Sequence, residues 1–328
     1  MSEYRIEILV HTYFENFNKA LNYMKLETIL SNHHKNLAII IGNGINLHDN
    51  NGARSWEDLL VSLQKIINGN SNKIPEHLSL TEFYDLLDLS QSSSFEPRES
   101  LQKGFANLMK EWEPGQHHKN IVRWCESKNV PILTTNFENT LGKAVNCKKS
   151  KRIKYGKFTD YYPWSTYYAP SHIENPESDF AIWHINGMQK HYRSIRLGLG
   201  HYMGSVSRAR NWLHGGKEDS LFYGKNQNRW RGHKSWLQCI FNNDLLIFGL
   251  GLGTQEVFLR WLFIERAKYF KKFPDRKKRA WFIEKSDSKH TDHWRAKKFF
   301  LEGVGVSTIQ VKTHSEIYAN KQWKQINR

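Results

Sequence analysis

Four short segments carry the residue types that nucleotide chemistry needs. Gly42-Asn43-Gly44-Ile45-Asn46 follows an apolar run, and Pro131-Ile132-Leu133-Thr134-Thr135-Asn136-Phe137-Glu138 closes a second one. Ile182-Trp183-His184-Ile185-Asn186-Gly187 ends in a histidine, and Phe248-Gly249-Leu250-Gly251-Leu252-Gly253-Thr254 is a glycine loop. Glycines after a strand let the backbone turn tightly and come close to a phosphate. Leu47 stands where a dinucleotide fingerprint has its third glycine, so an ordinary strand-to-helix turn accounts for the first segment equally well. Asn136 can accept from a free N–H as a helix cap, or its amide can hold a ribose hydroxyl or a catalytic water. His184 suits general-base work near neutral pH. It stands out by its strand-end position, whereas His191, His201 and His214 lie in less constrained sequence. The 249–253 loop can offer backbone N–H groups and a helix N-terminus to an anion. Glu256 falls in the expected first turn of that helix, where a carboxylate favours the dipole.

These groups need strands to hold them. Leu37-Ala38-Ile39-Ile40-Ile41 is unbroken and rich in β-branched residues, the pattern of a strand buried on both faces. Similar runs occur at 130–133, 180–183, 245–248, 280–283 and 306–311. Helical patterns lie between them at 56–67, 138–145, 255–270 and 290–301. The alternation predicts an α/β, Rossmann-like, doubly wound parallel sheet of about six strands. Residues 1–35 read as a separate helical segment, since Phe14, Phe17, Leu21, Met24 and Ile29 recur near a 3.6-residue period. That segment is expected to dock on the body or on another subunit. Residues 36–328 form the main domain with two insertions. The one near 68–128 is mostly helical, with a polar loop at 90–94, and the one near 146–179 is basic and aromatic. The cationic run at 268–279 falls at a helix end and the next turn, where it complements the dipole.

Composition narrows the setting. The 328 residues carry 48 Lys plus Arg against 32 Asp plus Glu, a formal charge of +16. The excess is confined to residues 146–328, with 34 basic and 15 acidic residues, while residues 1–145 hold 14 and 17. Such a half suits an acidic partner or a solvated surface. No apolar run is long enough for a membrane helix, and the mixed-charge start does not read as a signal peptide. The three cysteines, Cys125, Cys147 and Cys239, are far apart and form no CxxC, which leaves no zinc module and no disulfide scaffold. A reducing cytoplasm is the expected compartment.

Taken in order, GxGxN, TTNFE, HxNG and GLGLG resemble the sirtuin-like NAD-binding domain and, more narrowly, bacterial sirtuin-like effectors of anti-phage defence. The likeness runs from about residue 37 to 311. Arg54-Ser55-Trp56 with Leu59-Leu60 is similar to the segment that forms a lid after the first glycine loop. The resemblance implies that Gly42, Asn43, Gly44 and Asn46 line the NAD diphosphate and its ribose, with Trp56 in the lid. It also implies that Thr135 and Asn136 hold the nicotinamide ribose and a water, that His184 is the base, and that Gly249 and Gly251 face adenosine. Glu138 stands where the family usually has Asp. Deacetylases of the family carry a four-cysteine zinc module, which this chain cannot build, so the likeness points to an NAD hydrolase that needs no metal and releases nicotinamide and ADP-ribose. It further implies a gate on activity: a homo-oligomer, a nucleotide signal, or a partner from the same operon of the ATPase, Argonaute-type or nucleotide-pool-sensor kind. The alternative is a nucleotide- or nucleic-acid-binding module without turnover, in which Tyr155, Phe158, Tyr161, Tyr162, Trp164, Tyr167 and Tyr168 stack on bases among the cations. Packing of those rings onto the body is the favoured account, and nucleic acid is the less favoured partner.

Overall fold

The computed structural model describes residues 25–48, 52–70, 72–90, 97–151, 161–216, 218–223, 227–286 and 292–325. Phe14, Phe17, Leu21, Met24, Tyr155 and Phe158 lie outside them, as does part of the expected 90–94 loop.

The described residues begin with α1 (Leu26–His33), followed by β1 (Leu37–Ile41) and a one-turn α2 (Gly44–Leu47). Three helices come next, α3 (Trp56–Asn68), α4 (Leu80–Ser90) and α5 (Pro97–Asn107), and α6 (Gln116–Ser127) leads to β2 (Ile132–Thr134). A short α7 (Thr140–Lys143), then β3 (Lys148–Lys151), β4 (Thr166–Ala169) and β5 (Ile182–His184), bring the chain to α8 (Leu199–His214) and α9 (Leu237–Asn242). The last part is β6 (Asp244–Phe248), α10 (Val257–Lys272), β7 (Ala280–Lys285), α11 (Asp292–Gly303), β8 (Ser307–Val311) and α12 (Ser315–Tyr318).

The strands form one sheet in the order β3-β4-β5-β2-β1-β6-β7-β8. From β5 to β8 all neighbours are parallel, and β3 and β4 add an antiparallel edge. Among the described residues the sheet therefore has eight strands, against the expected number of about six. The two extra strands fall in the 146–179 stretch. Lys148–Lys151 is mostly exposed lysine, the composition that protects a sheet edge from further pairing and carries no apolar signal. Thr166–Ala169 is wholly buried but only four residues long.

The apolar runs serve both faces because successive side chains alternate. Ala38, Ile40, Leu245, Ile247 and Phe282 enter one core with residues of α8, α9 and α10 such as Ala209, Phe241, Phe258 and Leu262. Leu37, Ile39, Ile41, Leu246, Phe248 and Ile283 enter the other with Leu26, Ile29 and Leu30 of α1, Ile121 of α6 and Trp323. Within its described residues, the N-terminal segment thus packs on the body. A third core joins α3, α4 and α5 through Leu60, Leu63, Phe83, Leu87 and Phe105, and takes in Ile195 and Leu197 from the segment before α8. This helical unit forms a cap beside the sheet.

Several rings of the basic stretch are core rather than surface. Trp164 meets Trp212, Trp236 and Phe258 at 5.3, 5.7 and 6.0 Å, and Tyr167 meets Trp183 at 5.0 Å. Tyr168 is buried too, and Tyr161 is exposed.

Candidate active site

In an open α/β sheet, ligands bind beyond the carboxyl ends of the strands, where the chain changes direction of travel. Here that place is β1. The chain goes from β1 to β2 and β5 on one side, then crosses to β6, β7 and β8 on the other. Two glycine loops leave the sheet at this point and are laced together: Gly42 N–H donates to the Phe248 carbonyl at 3.0 Å, and Gly44 N–H to the Gly249 carbonyl at 2.7 Å. A Cβ on Gly42 would lie 2.5 Å from the Gly249 oxygen, and one on Gly44 would lie 2.7 Å from the Tyr318 hydroxyl. Gly249 also has φ of 74°, which a side chain rarely adopts. These three glycines are required by the contact between the loops. Gly251 differs, because nothing lies within 4 Å of its would-be Cβ.

Over the loops opens a cavity of about 650 Å³. Asn43, Gly44, Thr135, Asn136, Glu138, Gly249 and Gly251 line it from the sheet side, and Trp56, Leu59, Phe105 and Trp112 from the cap. The cap edge is fixed by a capping box in which Ser55 Oγ accepts from Asp58 N–H at 3.0 Å, so α3 starts at Trp56. Asn43 Nδ2 ties the preceding Arg54 carbonyl to the first loop at 2.8 Å. Of the residues expected in the site, Gly42, Asn46 and His184 are not on the cavity wall.

Asn46 is occupied with holding the wall. Its Nδ2 donates to Glu138 Oε1 at 3.0 Å and to Asn43 Oδ1 at 2.9 Å. Its Oδ1 accepts from His118 Nε2 at 3.0 Å, a direction fixed by Gly115 N–H donating to His118 Nδ1 at 3.1 Å. Thr140 Oγ1 lies 2.9 Å from Glu138 Oε1. Burial raises the Glu138 pKa, and the donors Asn46 and Thr140 partly offset it.

Asn136 is held by its backbone. Thr134 Oγ1 donates to the Ile41 carbonyl at 2.9 Å and accepts from Asn136 N–H at 3.1 Å. Asn136 does not cap a helix: α7 begins at Thr140, and its N-cap is Asn139. The Asn136 amide lies near enough to Glu138 to favour its carboxylate, yet neither side-chain polar atom reaches a hydrogen-bond partner, although the residue is buried.

His184 sits behind this residue. Its Nδ1 is 2.8 Å from the Asn136 carbonyl oxygen, so Nδ1 carries the proton and donates. Its Nε2 is buried without a partner, and Tyr168 packs edge-on at 5.6 Å. Burial pushes the His184 pKa down to about 4, against a smaller upward effect of the Asn136 carbonyl, so the ring is neutral near pH 7.

Asn186, two residues on and past the end of β5, does line the cavity. Its Oδ1 is buried without a partner, and a hydrogen bond from Asn186 favours the Glu256 carboxylate. Glu256 also lines the cavity. It is the N-cap residue of α10 and not a member of its first turn. The residue is half-buried on the cavity wall, and burial pushes its pKa up to about 7. Tyr202 of α8 borders the same space and feels the Glu256 charge. Asn186 belongs to the HxNG segment, but the sequence alone does not distinguish which of its two polar residues reaches the cavity. Glu256 was visible only as a helix-end charge, and Tyr202 gave no local signal.

Among the described residues, no cluster of three or more His, Cys, Asp or Glu is placed to hold a metal ion, and no helix is long and apolar enough to cross a membrane. No family model matches the chain, and no curated protein matches it.

Proposed function

We propose that this cavity binds NAD and hydrolyses its bond between nicotinamide and ribose, giving nicotinamide and ADP-ribose. One observation carries the reading: at the switch point of the sheet, Asn136 and Asn186 line a ligand-sized cavity, and both amide atoms of Asn136 and the Oδ1 of Asn186 are buried without a hydrogen-bond partner. Buried polar groups without partners are rare and costly, and a bound polyhydroxylated ligand satisfies them. In this reading Asn136 orients the nicotinamide ribose and a water. The open Gly251 segment accepts the diphosphate, and Trp56 closes the cap side. His184 acts through the Asn136 carbonyl, holding that residue in place. Nicotinamide leaves as a neutral base once an oxocarbenium-like ribose is stabilised, so orientation and electrostatics supply the catalysis.

The resemblance to anti-phage effectors supports a role as a defence protein that depletes NAD when gated. A separate regulatory partner from the same operon, or a homo-oligomer, provides the gate, and the basic half of the chain offers the contact surface. The test is nicotinamide release from NAD by the protein alone and with its operon neighbours. Release under either condition supports the reading, and no release together with no NAD binding rejects it. Nucleotide binding without turnover is the second reading. It is favoured by the position of His184, whose free nitrogen is not on the cavity wall. NAD binding without nicotinamide release under any condition selects it.

A further inference from the structure

The expected base does not face the cavity, and the cavity does hold another group able to take a proton. We propose that Glu256, positioned by Asn186, is the general base of this site and takes a proton from the water that attacks the ribose. This rests on the reading of the cavity as an NAD-cleaving site.

The geometry supports the assignment in three ways. Glu256 and Asn186 both line the cavity, and they come from opposite sides of the switch point, Asn186 after β5 and Glu256 before α10. Asn186 has one donor group directed to the Glu256 carboxylate and one buried, unpaired acceptor left for a ligand or water. Glu256 stays fixed because its carbonyl accepts from Arg260 N–H at 3.0 Å in the first turn of α10.

The surroundings set its protonation. Tyr202 on α8 faces it, and Arg196, which leads into α8, acts on Tyr202. Glu57 of α3, Glu138 after β2 and His48 after α2 border the same cavity, as do Glu284, Lys285 and His314. Arg260, one turn along α10, turns its guanidinium away, to the Leu252 carbonyl at 3.1 Å and over the Phe300 ring at 3.7 Å. No cation is thus paired with Glu256 in the hydrogen bonds and ion pairs of the described residues. Burial raises its pKa to about 7 while the N-terminus of α10 favours its charge, a balance suited to proton transfer near neutral pH.

The step balances without a co-reactant. A water oxygen forms a bond to the anomeric carbon of the nicotinamide ribose. The carbon–nitrogen bond breaks, and its electron pair neutralises the pyridinium nitrogen. The water proton passes to the Glu256 carboxylate and then to solvent. The products are nicotinamide, ADP-ribose and one proton.

The experiment compares the full-length wild type with Glu256→Gln and Glu256→Asp, together with the activating partner if one is needed. NAD binding is measured by calorimetry and nicotinamide release from pH 5.5 to 8.5. Gln copies the neutral form of Glu256, so the fold is retained, and a thermal melt checks it. Expected are wild-type activity that falls as pH drops through about 7, and a Gln variant that binds NAD but releases nicotinamide at least ~100-fold more slowly with a flat pH profile. The Asp variant should regain part of the rate and of the pH dependence. A Gln variant that turns over at the wild-type rate with the wild-type pH profile overturns the proposal and leaves NAD hydrolysis standing. A wild type that neither binds nor cleaves NAD rejects the functional reading, and the role of Glu256 with it.

Discussion

Two cavities of this molecule differ in what their polar groups are doing. The larger, about 860 Å³, lies along β8 and the segment before β7, among Lys25, Lys277, Lys278, Arg279 and Lys298, with Glu27, Glu302 and Glu316 interspersed. The smaller, about 650 Å³, lies at the carboxyl ends of the strands and presents amides and a carboxyl group. Size and formal charge favour the first. Burial favours the second, because Asn136 and Asn186 are kept out of bulk water with polar atoms unpaired. A lysine at a rim keeps its charge hydrated at little cost, whereas a buried amide without a partner costs on the order of 1–3 kcal/mol. The comparison teaches that unspent hydrogen-bonding capacity, more than hole volume or net charge, marks the candidate site. It also separates the charge from the chemistry. A diphosphate carries about two negative charges, so binding NAD leaves most of the basic half without an explanation.

The largest effect expected is from Asn136→Ala. Because the amide makes no hydrogen bond at proper distance within the protein, its loss should not destabilise the fold by more than ~1 kcal/mol. Under the proposed function nicotinamide release should fall by ~100-fold or more, since Asn136 would then orient water and ribose and act on the reaction itself. Activity assays paired with thermal melts check both halves. A variant that keeps its activity breaks the comparison, because the unpaired amide would then mark nothing.

Acid should act next, through His184. Its folded pKa, about 4, is depressed below the ordinary histidine value, so its neutral form fits the fold. The stability it contributes is complete above about pH 6.5 and is lost as pH falls toward 4, by at most about 3 kcal/mol. Glu256 has the opposite sign. Its pKa is raised to about 7, so its contribution is complete below about pH 4.5 and is lost as pH rises through 7. Glu256→Gln should therefore raise the melting temperature at pH 8 and leave it unchanged at pH 4.5, while wild type loses stability below pH 6. Melting curves across pH settle both signs, and an unchanged melting temperature for the Gln variant at pH 8 contradicts a buried carboxyl.

The loops give a smaller contrast. Gly42→Ala forces a Cβ against the Gly249 carbonyl and Leu250, and two backbones cannot yield as a side-chain tip can. A loss of about 1–3 kcal/mol is expected. Gly251→Ala meets nothing and should be near neutral in stability. Urea melts of the two variants test this, and equal losses would show that the loops are not held by their mutual contact.

The difference between these glycines also shows how far the sequence could be read. The buried runs at 37–41 and 245–248 announced β1 and β6, since β-branched residues without alternation suit a strand covered on both faces. The loops that follow were visible for the same reason. What each glycine is for was not, because Gly42 answers to Gly249, a residue 207 positions away. The same limit separated His184 from Asn186. One residue type outranked the other by its chemistry, but the chain leaves β5 at His184, and only the three-dimensional path brings Asn186 to the cavity. Strand β3 was hidden because lysine on an edge gives no apolar period, and β4 because it is only four residues long. Glu256 looked like a partner of its own helix until the fold set it opposite Asn186.

The smallest effect expected is from the larger cavity. Lys277→Ala combined with Lys278→Ala removes two charges next to β7, both on its amino-terminal side, while the candidate site lies beyond the carboxyl ends of the strands. Stability should move by no more than about 0.5 kcal/mol, as for other surface substitutions. Nicotinamide release by the chain at physiological salt should stay within about twofold, because charges more than a Debye length apart are largely screened. If release depends on an operon partner, the same double variant gains a second use. A rate that drops only when the partner is present, and recovers at higher partner concentration, assigns the cations to that contact. A drop in NAD binding itself would couple the two cavities and end the division between charge and chemistry.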